Sequence, residues 1–576
     1  MKKSNACSTS LLLFFLLCSC VVHADSKLDE LTQLYIEKWI DFYPSDAFTN
    51  GHKSSAWFFE DFTETRIADW LKLNHQSLKT LAALETESSS NQDIDARVIR
   101  RKIKQELELW QYDKVLVNQP IWYAELISQA MTYVLVREEF TRTEKMRATT
   151  VRLKGVQSLS ELGVKMLSNG SKERTARSIN ILERTASFYD NSLIELSRDW
   201  ANADEHEKLA QLARDTAGSI RQLASHVQNN ILPVASIPDH FDNADYARKL
   251  QIDVDSDITP GQLKEKALQE IDKVRGMMVI ESKAWWQQRH PQSTLPENEP
   301  ELLTAAMTAM EADRDDNRTD FLQFFTKYTQ EAEQFLIDHE IATVPLPHTL
   351  LVDLSPDHFS GAAYGGVYPT GPFNPDANTL FYLPSIPDDS PDEQKTGFYK
   401  SFNKHFNTMI IAHEMYPGHY LQYKIAVSAA PAIRTLFANG VYAEGWGTFS
   451  EELMLDAGWG KGQKLTRLAH LRKRLENATR AYLSVMVHHE GWEKDQVMDF
   501  ATRRGLLAPQ FALNLWNRVM NSPLQITNYF LGFHGFKTLW QHEQLRLGDK
   551  FTIRNFVDGV LRAGPIPIDA IGATLQ

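Results

Sequence analysis

The chain has 576 residues, of which 43% are hydrophobic and 23% are charged, as in ordinary globular proteins. A formal net charge of −13 argues against nucleic-acid binding, because proteins of that class carry a basic surface that neutralises phosphates. The length predicts about two to four domains.

Residues 1–24 have the pattern of a secretory signal segment. Lys2 and Lys3 form a charged start, and residues 11–17 form an apolar run that is too short to cross a bilayer. The run Leu17-Cys18-Ser19-Cys20 is typical of a lipoprotein signal, in which Cys20 is acylated; cleavage after Ala24 is the alternative. We therefore expect export to the bacterial cell envelope, and we favour a lipid anchor at Cys20 on a membrane that faces the periplasm.

The three cysteines, Cys7, Cys18 and Cys20, all lie in this signal segment. The mature chain therefore contains no disulfide, no thiolate metal ligand and no cysteine nucleophile. Beyond the segment, no apolar run approaches 18 residues, so we expect no membrane-spanning helix there.

Residues 25–341 have an almost continuous helical pattern. From Leu28 to Trp39, apolar residues recur at steps of three and four, which predicts an amphipathic helix that ends near Tyr43, ahead of Pro44. Later segments repeat this pattern. We expect these residues to form a helical N-terminal lobe.

The periodicity changes between residues 342 and 386. Thr349–Val352 and Thr379–Leu383 are short, rich in β-branched or aromatic residues and bounded by turn formers, which predicts two strands of a small antiparallel sheet. Residues 361–375 are rich in Gly and Pro and form the loop between these strands. Tyr382 is a candidate substrate-binding residue, because an extended peptide can pair with a strand at the edge of a cleft.

Helical patterns resume after residue 394, so residues 342–576 are expected to form a catalytic lobe. The predicted fold is mainly α: a large, two-lobed helical protein with a small antiparallel sheet near the active-site cleft.

The run His413-Glu414-Met415-Tyr416-Pro417-Gly418-His419 carries the clearest chemical signal. Neutral imidazoles bind Zn²⁺, and a carboxylate beside a zinc-activated water takes its proton. The run therefore predicts His413 and His419 as zinc ligands and Glu414 as the general base. Two histidines six residues apart lie roughly 120° apart on a regular helix. We expect Pro417 to distort the helix and bring His419 back; the alternative is a pair of core or surface histidines at a kink.

A second helical run supplies a third ligand. Glu444 lies 25 residues after His419, which leaves room for one reversal of the chain, and Glu451 lies two turns further on the same helix face. Two histidines and a glutamate form a catalytic zinc site with an open position. We favour Glu444 as the ligand and Glu451 as a residue that orients a ligand, although the reverse assignment and two plain surface carboxylates are the alternatives.

These runs resemble the bacterial domain-of-unknown-function family 885, and the resemblance covers nearly the whole mature chain. It implies a helical fold similar to zinc peptidases of the carboxypeptidase-Taq and oligopeptidase type, with a long cleft between helical walls. Residues 365–367 depart from the arginine-containing loop of that family. The resemblance rests on the His413–His419 run, Glu444-Gly445-Trp446, His488-x-x-Gly491-Trp492, Arg518 with Pro523, Gln525, Tyr529 and Gly532, residues 547–551, and residues 564–567.

Three further residues are candidates within this family frame. His488 and Tyr529 can donate hydrogen bonds to a developing oxyanion, and Arg518 can bind a substrate carboxylate through its guanidinium fork. The alternative for each is structural: a buried His or Tyr satisfied by the backbone, and an Arg in a surface ion pair.

The function that the sequence predicts is an exported, zinc-dependent metallohydrolase that acts on peptides or peptide-like substrates. The same centre can serve an amidase or esterase with a non-peptide substrate, because the attack is on a carbonyl in either case. A non-catalytic envelope protein with a residual metal site is the third possibility. The intact base, Glu414, argues against that class, because a structural zinc site is normally closed by four protein ligands.

Overall fold

The computed structural model describes residues 27–84, 90–200, 202–347, 349–356 and 365–575. It is 75% helical with a small three-stranded sheet, which confirms the mainly α fold. The signal segment with Cys20 and the first part of the loop of residues 361–375 lie outside the described residues. Among the described helices, none combines the length and the apolarity that a membrane span requires.

The first helix, α1, covers residues 27–42 and ends immediately before Tyr43, as predicted. Pro44 then begins α2, where its missing N–H has no cost because first-turn donors lack helical partners. The next helices are α2 (Pro44–Thr49), α3 (Glu64–Ala83), α4 (Asn91–Leu107), α5 (Val115–Asn118), α6 (Pro120–Gln129), α7 (Thr132–Val136), α8 (Arg142–Met166), α9 (Lys172–Asp190), α10 (Ser192–Leu196), α11 (Ala203–His226), α12 (Asn243–Val254), α13 (Pro260–Arg289), α14 (Glu299–Ala312) and α15 (Arg318–Asp338).

The sheet consists of β1 (Leu350–Leu354), β2 (Gly366–Tyr368) and β3 (Thr379–Leu383), in the order β1-β3-β2. The central strand β3 pairs in parallel with β1 and antiparallel with β2. The two strands predicted from the sequence are therefore parallel neighbours in a mixed sheet, not an antiparallel pair. A parallel pair needs a long connection, which the segment between β1 and β3 supplies, with β2 formed on the way.

The C-terminal helices carry the chemistry. Helix α20 packs against α24 at a glycine pair, because a Cβ on Gly445 would lie 2.3 Å from the Cα of Gly532. The helices are α16 (Asp392–Ser401), α17 (Lys404–Glu414), α18 (His419–Ala429), α19 (Ala432–Leu436), α20 (Gly440–Asp456), α21 (Lys464–His488), α22 (Lys494–Arg503), α23 (Pro509–Asn521), α24 (Asn528–Leu547), α25 (Ile553–Ala563) and α26 (Ile568–Thr574).

Two large clusters of buried apolar side chains and a small third one around Phe48 lie in the described part of the chain. In one large cluster, Tyr35 of α1 joins the same core as Trp446 of α20. In the other large cluster, Ile271 of α13 joins Leu475 of α21. Each large cluster draws on both sides of residue 341, and the division into two lobes at that residue stays a prediction.

Candidate metal centre

The helix is interrupted between the two histidines of the His-Glu run. Helix α17 ends at Glu414, and α18 begins at His419, so a break separates two helices where the sequence predicted one distorted helix. Gly418 allows this break, because a Cβ at that position would lie 1.8 Å from the carbonyl oxygen of His413. The indole of Trp446 secures the turn by donating a hydrogen bond of 2.8 Å to the carbonyl oxygen of Pro417.

The side chains of His413, His419 and Glu444 lie together beside this break. One ligand atom from each lies within 4.8 Å of the others. The Glu444 carboxylate is 3.6 Å from Nε2 of His419 and 3.9 Å from Nε2 of His413. Ligands that surround Zn²⁺ tetrahedrally at about 2.0–2.2 Å lie roughly 3.5 Å from one another. The three side chains therefore fit a zinc ion in both chemistry and spacing.

The attraction between His419 and Glu444 outweighs the effect of burial and holds the two side chains as an ion pair. Burial by itself lowers the pKa of His419, but Glu444, Glu414 and Gln422 outweigh it and raise that pKa above its usual range. Burial likewise opposes the charge of Glu444, yet the two histidines and the phenol of Tyr529 hold the pKa of its carboxyl well below the usual range. The carboxylate is thus ionised and suited to a cation.

Glu414 is the last residue of α17 and is half-buried. It lies close enough to His419 to raise the pKa of that imidazole. It is not one of the three residues whose ligand atoms converge. This position, beside the triad but outside it, is the one that a general base requires.

A buried chain of charged groups supports His413 from behind. The Nδ1 of His413 is 2.7 Å from one carboxylate oxygen of Glu451, and the other oxygen is 2.8 Å from Nδ1 of His470. Glu451 is fully buried, and Arg474 donates to the next carboxylate, Glu452, at 2.9 Å. A carboxylate bonded to Nδ1 keeps the ring proton on that nitrogen. Glu451 therefore leaves Nε2 of His413 as the nitrogen that can bind a metal.

We expect Glu451→Gln to weaken zinc binding by about 10–100-fold without abolishing it, because this is the usual cost of losing a partner that orients a ligand. The measurement is the zinc dissociation constant, determined by competition with a chelator. Complete loss of zinc in this variant, with zinc retained in Glu444→Gln, would reverse the roles assigned to the two glutamates.

The other face of Glu444 meets three polar side chains. Gln525 donates from Nε2 to Glu444 at 3.1 Å and lies 3.4 Å from the hydroxyl of Tyr529. Arg518 donates to Oε1 of Gln525 at 3.0 Å. The rings of Tyr529 and His413 are nearly parallel, with centroids 6.4 Å apart. Tyr529 and Arg518 therefore belong to the same site as the triad.

His488 is a buried histidine whose nitrogens bond to the backbone, which is the structural alternative given for it from the sequence. Its Nδ1 accepts a hydrogen bond from the backbone N–H of Phe241, and its Nε2 donates to the carbonyl oxygen of Val519 at 2.9 Å. Because both nitrogens are occupied and the ring is 1% exposed, it has no free donor for an oxyanion. The expected catalytic role of His488 is therefore corrected to a core role.

This buried histidine predicts an acid-sensitive fold. Burial lowers the pKa of His488 to about 4, with help from Arg174 and His240, although its bond to Val519 opposes the shift. The unfolded state binds the proton more readily, so the stability that the neutral ring contributes is present above pH 6.5 and is lost as the pH falls towards 4. Between pH 7 and pH 4, we expect the unfolding free energy of the wild type to fall by about 3 kcal/mol more than that of His488→Asn. Urea unfolding at both pH values measures this, and equal losses would contradict it.

Tyr382 lies on the central strand of the sheet, and its role in substrate binding stays a prediction. Its ring contacts Tyr368 at a centroid distance of 5.6 Å, and Tyr368 contacts Tyr133 at 6.0 Å. Its strand, β3, is paired on both sides, so its backbone has no free edge for a peptide. The expected peptide pairing along β3 is therefore wrong, because β2 occupies the edge that the sequence left open.

Sequence reasoning assigned no role to Gln422, His470 and Gln525. Gln422 accepts from Nδ1 of His419 at 3.1 Å, one helical turn after that ligand, and this spacing was a usable signal. His470 is an isolated histidine on α21, and nothing in its neighbours along the chain predicts its contact with Glu451. Gln525 is part of the family motif, but its contact with Glu444 is visible only in the fold.

A cavity of about 740 Å³ opens beside the centre, and Gln525 forms part of its wall. Acidic side chains predominate around it, including Glu108, Asp113 and Asp253, with Lys249 and Arg174 as the cations among its lining residues. Gln525 also bonds to Glu444, so this one side chain joins the wall of the cavity to the triad.

Known proteins similar to this chain share its fold. A "putative lipoprotein of unknown function" from Shewanella oneidensis is 18% identical, with 95% of this chain and 98% of that chain covered and a TM-score of 0.78. A "putative lipoprotein" from Colwellia psychrerythraea is 16% identical over the same shares, with a TM-score of 0.75. A search of curated proteins finds no match. The family model described as "Bacterial protein of unknown function (DUF885)" matches residues 44–575, and the chain belongs to that family.

Proposed function

We propose that this protein is a zinc-dependent hydrolase that cleaves peptides. The observation that carries the proposal is the convergence of His413, His419 and Glu444, with Glu414 beside them and outside the ligand set. A site closed by four protein ligands would point to a structural metal, whereas three ligands and an adjacent base are the parts of a hydrolytic centre.

The side chains divide the work of hydrolysis. When bound, Zn²⁺ supplies a Lewis acid that acidifies water and polarises a carbonyl oxygen. Glu414 takes the proton from the attacking water and returns it to the leaving amine. Tyr529 donates its phenolic hydrogen to the oxygen that gains negative charge. Burial, followed by the charge of Glu444, raises the pKa of Tyr529, so the phenol keeps this proton at neutral pH.

The cavity beside Gln525 supports a peptide as the substrate. Ligand pockets measure about 300–1,000 Å³, so a cavity of about 740 Å³ has room for several residues of an extended chain. The cavity is lined with both charged groups and apolar residues such as Phe241 and Leu524, which suits a substrate with mixed side chains.

The test is a digestion of a mixture of defined peptides, followed by mass spectrometry. Zinc-loaded wild type should cut a subset of the peptides, a chelator should stop the cleavage, and added zinc should restore it. If esters or non-peptide amides are hydrolysed while every peptide stays intact, the zinc centre stands and the assignment to peptides fails.

We also propose that the protein is anchored through Cys20 in the cell envelope. The lipoprotein pattern of the signal segment and the descriptions of the two similar structures support this. Mass spectrometry of the native N-terminus decides it: an acylated Cys20 is expected, and an unmodified Asp25 at the N-terminus would show that the other signal is used.

A further inference from the structure

A group of cations lies beside the proposed active site on the side of Tyr529. Arg472, Lys473 and Arg480 come from α21, and Arg518 comes from α23. All four act on one carboxylate, Glu476: burial raises the pKa of that carboxyl, yet the four cations lower it to about 2. Glu451 also acts on Lys473, and Glu444 acts on Arg518, so four cations share three carboxylates. Glu444 and Glu451 also pair with the histidines of the metal centre, so one more anion would balance the charge of the cations.

Arg480 is a buried cation with one hydrogen-bond donor that is not used within the described part of the chain. Its side chain is buried, with 5% exposure, and it bonds to Glu476 and, at 3.1 Å, to Asn477. Its Nε is buried and has no hydrogen-bond partner among the described residues. An unpaired donor on a buried guanidinium is costly, so it marks a place where a ligand can contribute a hydrogen bond.

Lys473 shows the same crowding. Its amine lies 3.6 Å from the Glu476 carboxylate. Burial lowers its pKa, Glu476 and Glu451 oppose that shift, and the charges of Arg480 and Arg518 add to it. An additional carboxylate would relieve this repulsion, because opposite charges favour the protonated amine.

Tyr529 and Gln525 connect Arg480 and Arg518 to the metal centre. The guanidinium carbons of Arg480 and Arg518 lie 5.4 Å and 5.9 Å from the centre of the Tyr529 ring. Arg518 and Glu444 share the amide of Gln525, so at most about 8 Å separates the Arg518 donor from the Glu444 carboxylate, given standard amide bond lengths. One peptide residue spans about 3.5 Å and two span about 7 Å.

We propose that Arg480 and Arg518 bind a substrate carboxylate that lies one or two residues from the bond to be cut. The proposal rests on the proposed function and adds its substrate class: peptides cleaved near a free C-terminus. The carboxylate that satisfies the geometry is either the terminal α-carboxylate or the side chain of an acidic residue at the same distance. Hydrolysis then adds one water across the amide and releases a short C-terminal fragment as a free amine.

Three peptides that share one sequence up to the last residue distinguish the two sources of the carboxylate. The first has a free C-terminus and the second has a C-terminal amide. The third also has a C-terminal amide, and its last residue is replaced by glutamate. With zinc-loaded wild type, we expect the free acid to be cut at its last or second-last bond, with kcat/KM at least about 10-fold above the plain amide, as for one lost charge-assisted contact. If the glutamate peptide is cut with the same kcat/KM as the free acid, the site accepts either carboxylate. Equal cleavage of the free acid and both amides overturns the proposal.

Substitutions identify the residues. Arg480→Gln and Arg518→Gln should raise KM for the free acid at least about 10-fold more than KM for the plain amide, since only the free acid loses a contact to its carboxylate. Arg480→Lys should recover part of the loss by restoring the charge. The matched control is Arg503→Gln, because Arg503 is an exposed arginine on α22. An equal effect on free acid and amide would mean that Arg480 and Arg518 have only a structural role.

A binding measurement distinguishes failure of this proposal from failure of the proposed function. Zinc-loaded Glu414→Gln protein is titrated calorimetrically with the free-acid and amidated peptides. Tighter binding of the free acid supports the carboxylate site even if no peptide is hydrolysed. Equal affinities reject the carboxylate site even if peptides are hydrolysed elsewhere along their length.

Discussion

Glu414→Gln is expected to reduce the rate of peptide hydrolysis by about 10²–10⁴-fold while zinc stays bound, since this is the usual cost of losing general acid–base catalysis. The substitution keeps the shape of the side chain and leaves both histidines and Glu444 in place. It removes the carboxylate that accepts the proton of the attacking water. The measurement pairs kcat on a cleaved peptide with the zinc content of the same preparation.

The matched control is Glu393→Gln, which changes an exposed glutamate on α16. Its rate and its zinc content should both equal those of the wild type. A Glu414→Gln protein that has lost its zinc would instead make Glu414 a ligand, and one that keeps full activity would remove it from the mechanism.

His419→Ala is expected to empty the site with the fold retained. The imidazole supplies one of three protein ligands, and two ligands hold zinc far more weakly than three. The fold does not depend on the metal, because two large apolar clusters stabilise it. Zinc analysis should therefore give less than a tenth of the wild-type content after dialysis, roughly the effect of one lost ligand, while the thermal transition of the zinc-free protein is unchanged.

His75→Ala provides the control, because His75 is exposed on α3. Full zinc content in His419→Ala would show that the second ligand is misassigned. A collapse of the thermal transition in the same variant would show that the break between α17 and α18 depends on the His419 side chain rather than on Gly418 and Trp446.

The helical fold and the residue types of the site were predictable because both depend on local sequence. Apolar periodicity predicted α1, Pro44 predicted its end near Tyr43, and the His-Glu run and the second run with Glu444 indicated the triad. The sequence did not predict the break between α17 and α18 around Pro417, because that geometry depends on contacts across the fold. It takes the close approach of Gly418 to the His413 carbonyl and a hydrogen bond from Trp446, which lies on another helix.

Errors arose where a side chain or strand meets partners far away along the chain. His488 carries a residue type that suits catalysis, but the backbone of Phe241 and Val519 occupies both nitrogens. β1 and β3 pair in parallel, and the antiparallel neighbour of β3 is β2, a strand of only three residues that leaves little signal in composition. The link from Glu451 to His470 joins residues on two helices, so no spacing rule predicts it.

The most direct test of the metal centre is a crystal structure of the zinc-loaded protein with anomalous scattering recorded at the zinc absorption edge. We expect one strong peak about 2.0–2.2 Å from Nε2 of His413, Nε2 of His419 and a carboxylate oxygen of Glu444. Glu451 should stay on Nδ1 of His413, behind the metal. A peak between Glu451 and His470, or no peak at the triad in protein that holds one zinc per chain, would contradict the account.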